Sequence, residues 1–120
     1  MNLSKKQIKP RVWVLEMSGR VNMGADCTRI DKEVNHHIEH QENSIIFDMA
    51  GVDHIDSAVV GQIVKSFSRL KKSGGTLRLA SLTPMVQGVL TMTQVSKVIA
   101  IYPTTAAASE GLPHSDQAQG

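Results

Sequence analysis

The sequence predicts a single α/β domain with a mixed β-sheet, a parallel core and an antiparallel edge hairpin. About four helices flank it, in the order β-β-α-β-α-β-α-β-α. Three observations carry this expectation. Short apolar runs of strand length alternate with segments of helical period along nearly the whole chain. Turn-forming or helix-capping residues (Pro10, Gly19, Asp56-Ser57, Gly74-Gly75, Thr83-Pro84, Pro103) punctuate many of the changeovers. Two strand-like segments stand directly next to each other only at the start, so only there is a hairpin called for; elsewhere the crossovers are helical and right-handed.

The elements follow in order. A first strand is expected around Leu3 to Ile8, with Pro10 in the turn after it. In RVWVLEMS, residues 11–18, Val12, Val14 and Glu16 alternate with Trp13, Leu15 and Met17, until Gly19 breaks the pattern. From Ala25 to Gln41, Ile30, Val34 and Ile38 recur every four residues and make the apolar stripe of a helix. SIIFDMA, 44–50, is the apolar, β-branched run of a buried strand. The helix after it begins at Ser57, with Val59, Val60, Ile63, Val64, Phe67 and Leu70 on its inner face and Lys71-Lys72 at the negative end of its dipole. TLRLASL, 76–82, alternates as a strand. Thr83-Pro84 then caps and opens a helix whose inner residues are Val86, Val89 and Leu90. VIAIY, 98–102, reads as the last strand, and TTAAASEGL as a short last helix. The domain is expected to span residues 1–112, with 113–120 as a disordered tail.

At 120 residues the chain suits one domain. Aromatic residues make up only 3%, so the core must be aliphatic. The formal charge of +2 comes from cations scattered among acids, unlike the basic stripe of a nucleic-acid footprint, and no nucleic-acid partner is expected. Cys27 is the sole cysteine, which excludes an internal disulfide and fits a reducing compartment; it reads as a small hydrophobe on its helix. MNLSKKQIKP lacks the apolar stretch of a signal peptide, and no apolar run reaches the roughly 18 residues of a membrane span. A cytoplasmic protein without a membrane partner is therefore expected.

The chemistry concentrates in IIFDMAGVDHIDS, 45–57, where a strand hands over to a helix. Ligands and partners of such sheets meet the carboxyl ends of the strands, close to the helix N-termini. Asp56 or Ser57 there serves as an N-cap. A hydroxyl at that place is also open to modification, and a phosphate would add up to two negative charges beside Asp56, and beside Asp53 and Asp48 if they are close. Spacing alone does not choose between a cap and a switch. Enzymatic motifs are missing: there is no GxxxxGK[ST], no GxGxxG and no GxSxG around Ser57. His54 lies three residues from Ser57, too loosely placed to define a hydrolase pair. In NHHIEH, 35–40, the helical positions Glu33, His36 and His40 share one side, opposite the apolar stripe, and read as a solvated face rather than a zinc site. Trp13 reads as packing. No catalytic residue, metal or cofactor is expected.

Taken together, IIFDMAGVDHIDSAVVGQIV, LEMSGRVN, LKKSGGTLRLASLTP and VSKVIAIYPT, in this order, resemble the STAS domain of bacterial anti-sigma factor antagonists, over roughly Leu3 to Leu112. The resemblance implies a regulator that is itself a substrate. In its unphosphorylated form it binds an anti-sigma factor serine kinase and frees the sigma factor, and phosphorylation reverses this. Ser57 would be the phosphoacceptor and Asp56 its flanking acid. Asn22, Met23, Asp48, Asp53, Ala58 and Val59 would belong to the partner-binding surface, while ATP, Mg²⁺ and catalytic base would come from the kinase. Three positions depart from the family pattern: Ala58 and Val59 replace a second hydroxyl residue and a glycine, and Asn22 replaces an aspartate. A second reading keeps the fold without the switch, as a stressosome scaffold or the partner of a transporter ATPase. The expected state is a monomer or a weak homodimer, because Lys5 and Lys6 discourage edge-to-edge pairing of the first strand.

Overall fold

The computed structural model describes residues 1–113. Its sheet has five strands in spatial order β1-β2-β3-β4-β5: β1 (Asn2–Lys9), β2 (Val12–Val21), β3 (Ser44–Ile55), β4 (Thr76–Ala80) and β5 (Ile101–Tyr102). β1 and β2 form the antiparallel hairpin, and all later pairings are parallel. The connecting helices are α1 (Ala25–Glu39), α2 (Ser57–Lys72) and α3 (Pro84–Met92), and α4 (Thr105–Ser109) follows β5. The expected order of elements and the mixed sheet are both present.

Strand alternation divides the interior into two layers. Leu15, Ile45, Phe47, Leu77 and Leu79 point toward α1, α2 and α3, where they meet Ile30, Val34, Val59, Ile63, Leu70, Val86 and Leu90. The intervening Val14, Ile46 and Ala80, with Val12, face the other way and are covered by Ala108 and Leu112. Buried Arg78 fastens that second layer: its guanidinium donates to the carbonyls of Ala108 at 2.9 Å and Glu110 at 2.8 Å, and stands 5.4 Å from the Tyr102 ring centroid. Between α1 and α2, Asp31 accepts from Gln62 at 3.2 Å and Arg69 at 3.0 Å. Burial pushes the Asp31 carboxyl up, but these two hydrogen bonds and the charges of Lys65 and Arg69 outweigh it and hold the group below the usual aspartate value.

Several expectations need correction. β2 does not stop at Gly19 but passes through it, at φ +83°, to Val21. β3 does not end at Ala50; it runs to Ile55, past its last pair with β4, Asp48–Ala80. Two register shifts against β2 place extra residues in this stretch, and they hid the strand by breaking its alternation. At the first, a Cβ on Gly51 would lie 2.7 Å from the Ser18 Cβ, so the close approach requires glycine. The last strand is two residues, not five: Val95–Lys97 form a 3₁₀ turn and Val98 is exposed. On α2, Val64 is exposed, while Gln62 and Ser66 are buried. His37 is buried too, its ring in edge contact with Trp13 at 5.0 Å between centroids, whereas His36 and His40 are exposed as expected. Of the tail expected at 113–120, residues 114–120 lie outside the described part.

Candidate functional site

The site forms where β3 turns into α2. Asp56, extended at φ −106° and ψ 178°, is the N-cap: its Oδ1 accepts from the Val59 N–H at 3.0 Å. Its other oxygen, Oδ2, accepts from the Met23 N–H at 2.9 Å, in the loop between β2 and α1. One carboxylate thus ties two loops on the same rim of the sheet. The backbone N–H groups of Met23 and Val59, and then that of Ala58 and the nearby His54, hold the Asp56 carboxyl below its ordinary value, against some desolvation.

Ser57 is the first residue of α2 and is exposed. At this helix start Asp56 already accepts from the Val59 N–H, with a smaller contribution from that of Ala58. A group added to this exposed side chain would stand beside the Asp56 carboxylate. The neighbouring loop is shaped by a second acid: Asp26 Oδ2 accepts from the Asn22 N–H at 2.9 Å, and the Cys27 thiol lies 3.7 Å from the Asn22 carbonyl oxygen. Burial, then the charges of Asp56 and Asp26, push the Cys27 thiol up, which keeps it protonated and suits the hydrophobe expected there.

The structure brings together part of the residues singled out from the sequence. Asn22, Met23, Asp56 and Ser57 share the rim, and Met23 is 69% exposed there. Ala58 is half-buried, and Asp53 is exposed on the extension of β3. Two residues do not join them. Asp48 lies inside β3, seven extended residues before Ile55, roughly 20 Å along the strand at about 3.3 Å per residue. Its carboxylate accepts from the Ala50 N–H at 3.0 Å and shapes the bulge. Val59 faces the core and is 1% exposed, so only its backbone is near the rim. The reasons differ: β3 is longer than its sequence pattern suggests, which sets Asp48 back, and α2 turns Val59 into the core two residues after Ser57. Asp26 was not singled out, and the only signal for it is an acid in the first turn of α1. His54 is half-buried beside Asp56. Among the described residues no cluster of three or more His, Cys, Asp or Glu could hold a metal ion, and no helix is long and apolar enough to cross a membrane.

Comparison with known proteins yields one family model, described as STAS domain, which matches residues 4–108. A Thermotoga maritima protein provisionally named an anti-sigma factor antagonist is 34% identical over 68 residues, 57% of this chain. The chain spans about 60% of that relative's length. The crystal structure of a Thermotoga maritima protein with the same provisional name superposes with a TM-score of 0.81 at 28% identity, covering 90% of this chain and 92% of the other. The unphosphorylated form of the anti-sigma factor antagonist SpoIIAA superposes with a TM-score of 0.71 at 17% identity over 99% of both chains, a likeness of fold.

Proposed function

We propose, for a chain that belongs to the STAS domain family, that it is an anti-sigma factor antagonist switched by phosphorylation of Ser57. The observation that carries this reading is the exposed hydroxyl of Ser57 at the first position of α2, on a rim where Asp56 joins two loops. The relatives named as anti-sigma factor antagonists support an anti-sigma factor as the partner; a serine kinase activity of that partner is part of the proposal. SpoIIAA, which shares the fold, is known in an unphosphorylated and a phosphorylated form.

The chain acts as substrate. The Ser57 Oγ attacks the γ-phosphorus of ATP held by the kinase, its proton passes to the kinase's base, and ADP leaves. The product carries about 1.5 to 2 negative charges. That charge is tolerated by the dipole of α2 but repels the Asp56 carboxylate next to it. Two consequences reach the partner at once: the surface it met as a neutral hydroxyl becomes anionic, and the Asp56–Met23 bond that positions the adjoining loop weakens. The core is spared because Ser57 takes no part in it. Asn22, in place of an acid, leaves the loop less negative than the family pattern.

The test is incubation with the cognate kinase and ATP, followed by mass spectrometry and a binding measurement. One phosphate on Ser57, with loss of kinase binding and no modification of Ser57→Ala, is the expected result. Modification elsewhere, or unchanged binding after modification of Ser57, overturns the reading.

A further inference from the structure

The edge strand β1 holds a feature that the Ser57 rim does not use. β1 closes the sheet, pairing with β2 alone, so its outer backbone N–H and C=O groups face away from the sheet. It is eight residues long and exposed at six of them, and it contains Lys5, Lys6 and Lys9 without a single acid. Its register sets two faces. Lys5, opposite Leu15, lies on the side of α1 and reaches the Glu33 carboxylate at 3.2 Å. Lys6, opposite Val14, lies on the other side and stands 3.7 Å from Glu16.

A groove of about 260 Å³ runs between β1 and α1, lined by Leu3, Ser4, Lys5, Arg29, Lys32 and Glu33. Its one acid, Glu33, is already engaged by Lys5, while Lys32 is exposed and Arg29 donates to the Met1 carbonyl at 3.0 Å. The open strand edge is thus bordered on one face by Lys6, paired with Glu16, and by half-buried Lys9, which donates to the Ser109 carbonyl at 2.8 Å. On the other it is bordered by Lys5, paired with Glu33, and by Arg29 and Lys32.

Charge decides between occupants. A second copy joining antiparallel through β1 would bring Lys5 and Lys6 against their own counterparts, and like charges across strands are unfavourable. A strand with alternating carboxylates meets the opposite situation: main-chain bonds supply the contact, and the lysines select its charge. We propose that the open edge of β1 binds an extended acidic segment of a partner protein as a sixth strand. Its carboxylates would lie against Lys6 and Lys9 on one face and Arg29 and Lys32 on the other. This surface is independent of Ser57 and remains available whichever way that residue is modified.

The probe is a capped eight-residue peptide alternating valine and glutamate, titrated into the full chain labelled with ¹⁵N. Two control peptides carry lysine for glutamate, or proline at the two central valines. Expected are amide shifts and slowed hydrogen exchange confined to residues 2–9, with shifts at Arg29 and Lys32. Both controls should bind about tenfold more weakly or worse. The variant K6E/K32E, with an otherwise unchanged spectrum, should lose about tenfold in affinity. Should that variant not fold, raising NaCl from about 0.05 to about 0.5 M must weaken the wild-type complex by a similar factor. Shifts centred elsewhere, equal binding of the lysine peptide, salt-independent binding, or no binding overturns the proposal. So does protection of residues 2–9 that appears without peptide as protein concentration rises, which would make a second copy the occupant.

Discussion

Replacing Ile63 by alanine tests the rotation of α2, on which the placement of Ser57 depends. Ile63 is 1% exposed and sits among Phe47, Leu77 and Leu79 in the larger core layer, one residue before Val64, which is 40% exposed. Ile63→Ala removes three carbons, at about 0.8 kcal/mol each for lost burial, or about 2.4 kcal/mol. The surrounding strands cannot fully close the space, and the cavity raises the total to about 3–4 kcal/mol, within the usual range for such truncations. Against a total stability of about 6–18 kcal/mol for a domain of this size, that is a large fraction. Val64→Ala, by contrast, should stay within about 0.5 kcal/mol of wild type. Urea unfolding followed by circular dichroism measures both, with the slope checked so that a midpoint shift reports stability. A loss under about 1 kcal/mol for Ile63→Ala, or a larger loss for Val64→Ala than for Ile63→Ala, would show that the helix is turned the other way and would move Ser57 off the rim.

Ser57→Glu is expected to weaken kinase binding by about tenfold or more while leaving the urea midpoint unchanged, since an exposed first-turn carboxylate suits the helix dipole; calorimetric titration checks it. Asp31 contributes to acid sensitivity with a definite sign. Its carboxyl is lowered in the folded state, so its stabilisation is present above the ordinary aspartate value of 3.8 and is lost as pH falls through the lowered folded value. Asp31→Asn should flatten the acid limb of the stability profile below about pH 4, and an identical limb would refute the assignment. Arg78→Met should cost about 2–4 kcal/mol, because the buried carbonyls of Ala108 and Glu110 lose a charged donor; faster hydrogen exchange across 105–112 is the accompanying signature.

What could be read from the residues alone follows from how local the physics is. The cap at Asp56 and the start of α2 at Ser57 depend on side chains within three residues of each other, and both were legible. The Thr83-Pro84 opening of α3 was legible for the same reason, although the second bond of the Thr83 hydroxyl, to the Val52 carbonyl at 3.0 Å, was not. The extension of β3 was hidden because two register shifts reset its alternation, which displaced Asp48 from the site where the pattern put it. Burial of Gln62 and Ser66 escaped notice because α2 faces α1 as well as the sheet, and Gln62 reaches Asp31 across that seam. The burial of His37 was not legible because it depends on Trp13 of the hairpin, a contact between residues 24 positions apart. The bond from Met23 to Asp56 spans 33 positions and leaves no trace in any local pattern.

Beyond its Asp48–Ala80 pair, β3 stands without β4 beside it, held by β2 on one flank and by the Thr83 hydroxyl on the other. This makes the stretch from Met49 to Ile55 a bracket projecting from an otherwise closed framework. Substitutions on its outer side can redraw what a visitor meets without disturbing the layers that keep the domain folded. Lineages carrying this architecture could therefore acquire new recognition preferences at little thermodynamic risk, one rim residue at a time.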